Sequence, residues 1–217
     1  MLASCRQEEL PLSEKAVGYL SIENLTVQTA NVENIMTRAV DRDLYICIDD
    51  GAPYPPGADV SEIALEPGSH TLEAYNAAYN EYLGWANEEK GSAVYYGKTS
   101  FEIKANNMTY VNMEVPMINF GVSLSLPEGF TTVFPQYAFS VTVGKRTVSL
   151  KDGETAYFPY SEGGLSVSYT LSATNTDGED NDKEGNNSSW EGKSTIQPNT
   201  VYVITYDYGT KSLVLVP

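Results

Sequence analysis

The sequence predicts an all-β protein of two tandem β-sandwich domains, built from mainly antiparallel strands. Three observations carry that expectation. The 217 residues include 16 Tyr, 17 Gly and 11 Pro, with many Val, Thr and Ser and few long helix formers, a composition that favours strands and turns. Apolar residues alternate with polar ones over short runs, the period of a half-buried strand. Turn residues separate those runs often enough to place several short strands in each ~100 residues, the rhythm of a sandwich. A chain of this length fits one large or two ordinary domains. Alternation stops at Pro116 and starts afresh after it. The expected division is therefore a tether at 1–16, a first domain at 17–116 and a second at 117–217.

Val17 to Ile22 is the first expected strand, with Leu25 and Val27 as its extension. Residues 28–42 have no clean period and read as a long connection, a kind of segment that is often functional in compact domains. Asp43–Asp49 alternates, with Leu44, Ile46 and Ile48 on one face and Tyr45, Cys47 and Asp49 on the other. Glu66-Pro67-Gly68-Ser69 separates Val60–Leu65 from His70–Tyr75 as a strand-turn-strand unit. Residues 76–92 form an excursion that contains Trp85. Tyr95–Ile103 and Thr109–Val115 are expected to pair around Asn106-Asn107, a dipeptide that tolerates positive φ. In the second half, Phe120, Val122, Leu124 and Leu126 alternate with small residues, as do Tyr137, Phe139, Val141 and Val143. Gly144-Lys145 reads as a two-residue hairpin loop. Leu165, Val167, Tyr169, Leu171 and Ala173 alternate with Ser and Thr, so one face is buried and the other meets water. Residues 175–192 read as a polar acidic loop, and Val201–Tyr208 with Leu213–Val216 as a closing hairpin.

A net charge of −16 argues against nucleic acid, whose phosphates would be repelled. No apolar run reaches the ~18 residues that span a bilayer. Two cysteines allow no disulfide framework once Cys5 is otherwise engaged, and Cys47 then reads as a small packed residue. His70 is the only histidine and sits beside a tight turn, so a structural role is expected. A His-assisted nucleophile would need His70 itself, thiolate or imidazole zinc sites lack ligands, and no spacing singles out a carboxylate pair for glycoside hydrolysis. The protein is not expected to be an enzyme.

Leu2-Ala3-Ser4-Cys5 resembles a bacterial lipobox, in which small residues admit a signal peptidase and the cysteine thiol carries the lipid. Acidic residues follow at Glu8 and Glu9, resembling the export signal of Bacteroidota surface lipoproteins. Further pieces appear in order: Gly18-Tyr19-Leu20-Ser21-Ile22, Thr37-Arg38-Ala39, Leu44-Tyr45-Ile46-Cys47-Ile48, the run Leu65 to Tyr75, Tyr95 to Phe101, Tyr137 to Val143, and Ala173 to Gly178. Together they resemble the fimbrillin-like surface lipoproteins of Bacteroidales, which include the type V pilins. That resemblance implies two tandem sandwiches, a lipid anchor at Cys5 on the outer face of the outer membrane, and adhesion or pilus assembly rather than turnover. It also implies an Arg-specific cut between Arg38 and Ala39 that removes the first strand, with Leu213–Val216 or Val201–Tyr208 as the strand donated by another subunit. Arg42 is a second candidate cut site, and the alternative is that the first strand stays in place.

Two further sites are weighed. Residues 180–191 match the spacing of an EF-hand loop, with Asp180, Asp182, Glu184 and Glu191 as oxygen ligands for calcium and Gly185 at the bend. Position five is Glu and the flanks read as strands, so a solvated acidic hairpin loop is the other reading, and no other cofactor is expected. Trp85 and Trp190 lie in loops, where exposed rings stack on sugars; the other reading is that they complete the core. The expected partners are other pilus subunits or a host or bacterial surface ligand. The alternative function is a monomeric glycan- or ligand-binding surface lipoprotein.

Overall fold

The computed structural model describes residues 16–28, 43–162, 164–190 and 195–216. The N-terminal part contains β1 (Gly18–Gln28), β2 (Leu44–Ile48), β3 (Ile63–Leu65), β4 (Gly68–Asn76), β5 (Tyr96–Ile103) and β6 (Met108–Pro116). The C-terminal part contains β7 (Phe120–Leu124), a short helical turn α1 (Phe130–Val133), β8 (Gln136–Val143), β9 (Arg146–Leu150), β10 (Thr155–Phe158), β11 (Val167–Thr174), β12 (Lys183–Asn186), β13 (Thr200–Asp207) and β14 (Ser212–Val216). The described strands form four sheets, ordered β3-β1-β6 and β2-β4-β5, then β10-β7-β13-β14 and β12-β11-β8-β9. The fold is all-β, with several mainly antiparallel sheets packed as sandwiches.

Alternation decides which side chains meet. In the N-terminal sandwich, Leu44, Ile46, Ile48, Leu72, Ala74 and Ile103 from one sheet face Leu20, Leu25, Ile63, Val111, Met113 and Val115 from the other. In the C-terminal sandwich the core is more aromatic. Phe120, Phe130, Phe139, Phe158, Tyr169, Trp190, Tyr202 and Tyr206 are buried together with aliphatic residues from both sheets. Large rings bury more area per residue than aliphatic side chains, so few positions close this core.

The two sandwiches repeat one topology. In each, the first strand sits inside its sheet, antiparallel to one neighbour and parallel to another: β1 between β3 and β6, β7 between β10 and β13. In the second sheet, β2-β4-β5 corresponds to β8-β11-β12. The place of β9 is taken in the first sandwich by Tyr54, which exchanges both backbone hydrogen bonds with Ile46 at 2.7 and 3.1 Å. Only β14 lacks a described counterpart. Residues 104–107 join β5 to β6, a shorter connection than the one from Asn186 at the end of β12 to Thr200 at the start of β13.

Two sequence expectations change here. β5 and β6 are consecutive but belong to different sheets, so their apolar faces meet across the core rather than along a ladder. Residues 175–192 are not wholly loop, because β12 pairs antiparallel with β11 from Ser168↔Asn186 to Leu171↔Lys183.

Candidate functional site

β1 is bound on both edges. It pairs with β3 at Gly18↔Leu65 to Leu20↔Ile63 and with β6 from Tyr19↔Met108 to Gln28↔Pro116, with a bulge between Ile22 and Asn24. Leu20 is 0% exposed and Leu25 is 4% exposed, both inside the core. The strand enters tightly. A Cβ on Gly18 would stand 2.3 Å from the Lys104 carbonyl oxygen and 2.6 Å from Ile103 Cγ2, so only glycine fits that entry. The backbone N–H of Tyr19 donates to Asn107 O at 2.9 Å, and Asn106 donates to Val17 O at 2.8 Å. β1 is thus an integral part of the core at the start of the described chain.

The excursion between β4 and β5 is the second built feature. It crosses from the first sandwich to the second, and Arg146 at the start of β9 holds it there. The Arg146 guanidinium donates to Ala86 O (3.1 Å), to Tyr157 O (2.6 Å) and to Glu89 O. It also stacks over Trp85, 5.3 Å from the ring centroid, and over Phe158 at 4.7 Å. Burial pushes its proton affinity down, and the Glu89 carboxylate opposes that shift. The excursion adds backbone bonds of its own: Glu88 N–H to Thr147 O (2.9 Å) and Tyr157 N–H to Lys90 O (2.8 Å). Asn119, buried beside the link to β7, accepts from Val94 N–H and donates to Ser92 O, each at 2.9 Å. Sequence periodicity carried no sign of Arg146 or Asn119, because neither belongs to an alternating apolar run.

Rings connect these features. Tyr45, Tyr75 and Tyr96 stand in register across β2, β4 and β5 on the sheet's outer face. Tyr79, in a 3₁₀ turn over residues 77–80, lies on Tyr96 at 4.7 Å and 9°. Tyr82 stacks on Tyr79, and Trp85 meets Tyr82 edge-on.

The two tryptophans of the sequence reading are placed differently. Trp190 is 4% exposed. It stacks on Tyr169 and Tyr202 and donates to the Tyr169 hydroxyl at 3.1 Å. It completes the core and presents no face to a sugar. Trp85 is half-buried: Arg146 covers one face, and a Cβ on Gly91 would stand 2.5 Å from the ring. Of the four candidate calcium ligands, Asp180, Asp182 and Glu184 lie among the described residues. Residues 180–184 run extended beside β11, with Thr174 Oγ1 donating to Asp180 (3.2 Å) and Ser172 Oγ donating to Asp182 (2.8 Å). Glu184 is a β12 residue paired with Thr170. Alternate residues of a strand point the same way about 7 Å apart, while calcium needs oxygens converging at 2.3–2.6 Å. Asp180, Asp182 and Glu184 are therefore spaced along an extended segment, and no group of three or more metal-ligating side chains occurs among the described residues. Glu191 lies outside the described residues, as do Cys5, Arg38 and Ala39.

Cys47 is a buried free thiol that donates to Gly51 O at 3.1 Å; burial pushes its pKa up. No helix among the described residues is long and apolar enough to cross a membrane.

The described chain is thus two sandwiches of one topology, with the first strand inserted in its sheet and the β4–β5 excursion bonded to the second sandwich. The family model described as a domain of unknown function, DUF4493, matches residues 52–213, and the chain belongs to that family. No curated protein matches the chain. Solved structures similar to it include a "putative adhesin" from Bacteroides ovatus (10% identity, TM-score 0.44, covering 100% of this chain and 98% of that one). Another is a "putative cell adhesion protein" from Bacteroides uniformis (11% identity, TM-score 0.49, covering 92% and 96%). A third is a "fimbrial assembly protein" from Parabacteroides distasonis (12% identity, TM-score 0.39, covering 89% and 97%).

Proposed function

We propose that the protein is a cell-surface adhesion or fimbrial subunit, lipid-anchored through Cys5 at the outer membrane, whose partners are other subunits or a surface ligand. Its work is binding and assembly rather than turnover. In this reading a cut between Arg38 and Ala39 releases β1 and converts a monomer into a polymerising subunit. The observation that carries the reading is the seat of β1. The strand is ladder-bonded to β3 and β6 and fills the core with Leu20 and Leu25, and residues 29–42 separate it from the next described strand. Its removal would unpair two strand edges and uncover apolar surface in one step. Such a slot templates a strand from another chain, because backbone hydrogen bonds give affinity and alternate side chains fill the floor.

Of the two donors considered in sequence, β14 suits the role better. It is an edge strand bonded to β13 alone, and its Leu213 and Leu215 are only partly buried against the core. β13 lies inside its sheet and buries Tyr202, Ile204 and Tyr206, so its departure would dismantle the C-terminal core.

The test is limited digestion with an Arg-specific protease, followed by N-terminal sequencing and size-exclusion chromatography. Wild type is compared with Arg38→Ala and with a form lacking residues 211–217. The expected result is a new N-terminus at Ala39 and higher oligomers in wild type alone. Resistance at Arg38, or a cleaved product that remains monomeric, overturns the assembly reading.

A further inference from the structure

We propose that the cleft between the two 3₁₀ turns of the β4–β5 excursion and the Trp85 indole is a binding site for a neutral saccharide. This deepens the adhesion reading by naming the class of ligand, and it does not depend on strand exchange. The cleft encloses about 450 Å³ and is walled by Tyr79 and Trp85, with Asn80, Glu81, Leu83 and Glu89 around it. That volume falls within the ~300–1,000 Å³ of small-ligand sites.

The lining matches sugar chemistry group by group. A pyranose has apolar C–H faces and a rim of hydroxyls that both donate and accept. The parts of Tyr79 and Trp85 that Tyr96, Gly91 and Arg146 leave uncovered offer ring carbon to the first, and Leu83, 77% exposed at the cleft, extends the apolar wall. Asn80 carries an amide with two donors and an acceptor, and Glu81 carries an acceptor-only carboxylate, the complement of adjacent hydroxyls. Both residues are exposed, and no side-chain hydrogen bond engages either among the described residues. Away from the cleft, Tyr75 and Tyr45 continue the row of half-buried rings from Tyr79 along the sheet.

Charge separates this ligand from others of similar size. No lining residue is cationic, and the two carboxylates oppose an anionic sugar. A basic peptide is disfavoured for a different reason. The cation site over the Trp85 ring is already filled by Arg146 at 5.3 Å, and one Glu89 oxygen is tied to Ala86 N–H at 2.7 Å. What remains for an incoming group is apolar contact with the uncovered ring carbon and Leu83, and neutral hydrogen bonding.

The experiment uses the full chain, uncut. A printed array of neutral hexose and N-acetylhexosamine glycans is read beside sialylated glycans and an oligo-lysine peptide. The best neutral glycan is then titrated calorimetrically into wild type, Asn80→Ala and Glu81→Ala. Both substitutions are at exposed positions, and circular dichroism checks that each variant is folded. The expected result is saturable binding of a neutral glycan, weakened about 3–10-fold in both variants, as loss of one well-placed hydrogen bond to a bound ligand predicts. Absence of neutral-glycan binding, affinity unchanged in folded variants, or equal binding of sialylated glycans or oligo-lysine overturns the proposal. Because the readout is affinity of the uncut monomer, its failure leaves the strand-exchange test standing, and the reverse holds too.

Discussion

His70 shows how much one side chain is fixed by what faces it. Its Nδ1 lies 2.5 Å from Asp49 Oδ2 and its Nε2 lies 2.7 Å from Glu66 O. A carboxylate and a carbonyl accept, so it is the protonated imidazole, with both ring nitrogens donating, that satisfies both partners. The Asp49 hydrogen bond raises the His70 pKa above its ordinary 6.5, and the same bond lowers that of Asp49 below 3.8. The raised group stabilises the fold fully below pH 6.5 and loses that contribution as pH rises through its folded value. The lowered group stabilises above pH 3.8 and loses its contribution as pH falls through its folded value. The pair therefore contributes fully only between 3.8 and 6.5. Chemical denaturation across pH 3–9 should show wild type ahead of Asp49→Asn by about 1 kcal/mol in that window, a charged hydrogen bond discounted for the exposure of Asp49. A difference that is flat with pH would assign the bond no titrating role. The structural part played by His70 was legible in sequence from its place beside a turn. Asp49, a residue at φ 50° and 21 positions away, was not, because nothing in the sequence marks that pairing across the sheet.

Among elements, the strands with strict alternation were legible: β2, β4, β7, β8, β11 and β13 stand close to where the apolar period puts them. Two kinds of feature were hidden. β10 and β12 are short, and Lys183-Glu184-Gly185-Asn186 has no apolar face at all; its pairing with β11 makes it a strand. Pairing direction was hidden as well, since alternation is the same in parallel and antiparallel ladders. That is why the two parallel contacts, β1 with β6 and β7 with β13, emerge only in three dimensions. β1 yields the prediction at this scale. Gly18→Ala places a Cβ against backbone at the strand's entry and should cost about 1–3 kcal/mol as overpacking. Leu20→Ala empties a fully buried site and should cost about 2–5 kcal/mol. Equilibrium denaturation reads both. Stability within ~0.5 kcal/mol of wild type in both variants would mean that β1 is not seated as described.

At the scale of the molecule, the crossing loop bonds the first sandwich to the second. An unbroken series of ring contacts runs from Tyr45 through Tyr75, Tyr79, Tyr82 and Trp85 to Arg146, then through Phe158 and Phe120 into the C-terminal core. Arg146 is the junction. Arg146→Ala removes donors to three carbonyls and should cost about 2–4 kcal/mol. Calorimetry should then resolve two unfolding transitions where wild type unfolds more cooperatively. Arg146→Lys should rescue little, because a single ammonium cannot reproduce the planar fork. A variant that keeps the wild-type transition would show that the backbone bonds of residues 88–90 suffice. Tyr abundance was plain in the sequence, but its use as a series of contacts depends on the register of β2, β4 and β5 and so was not.

The parallel contact between β1 and β6 has a mechanical consequence. If the chain is held ahead of Gly18 and drawn beyond Pro116, the two strands are pulled in opposite senses along their length. The nine paired positions from Tyr19↔Met108 to Gln28↔Pro116 then bear the load together in shear, instead of opening one after another like a zip. A strand that replaced β1 in the same direction would inherit that geometry, and a joint between two subunits would resist stretching as firmly as the inside of one.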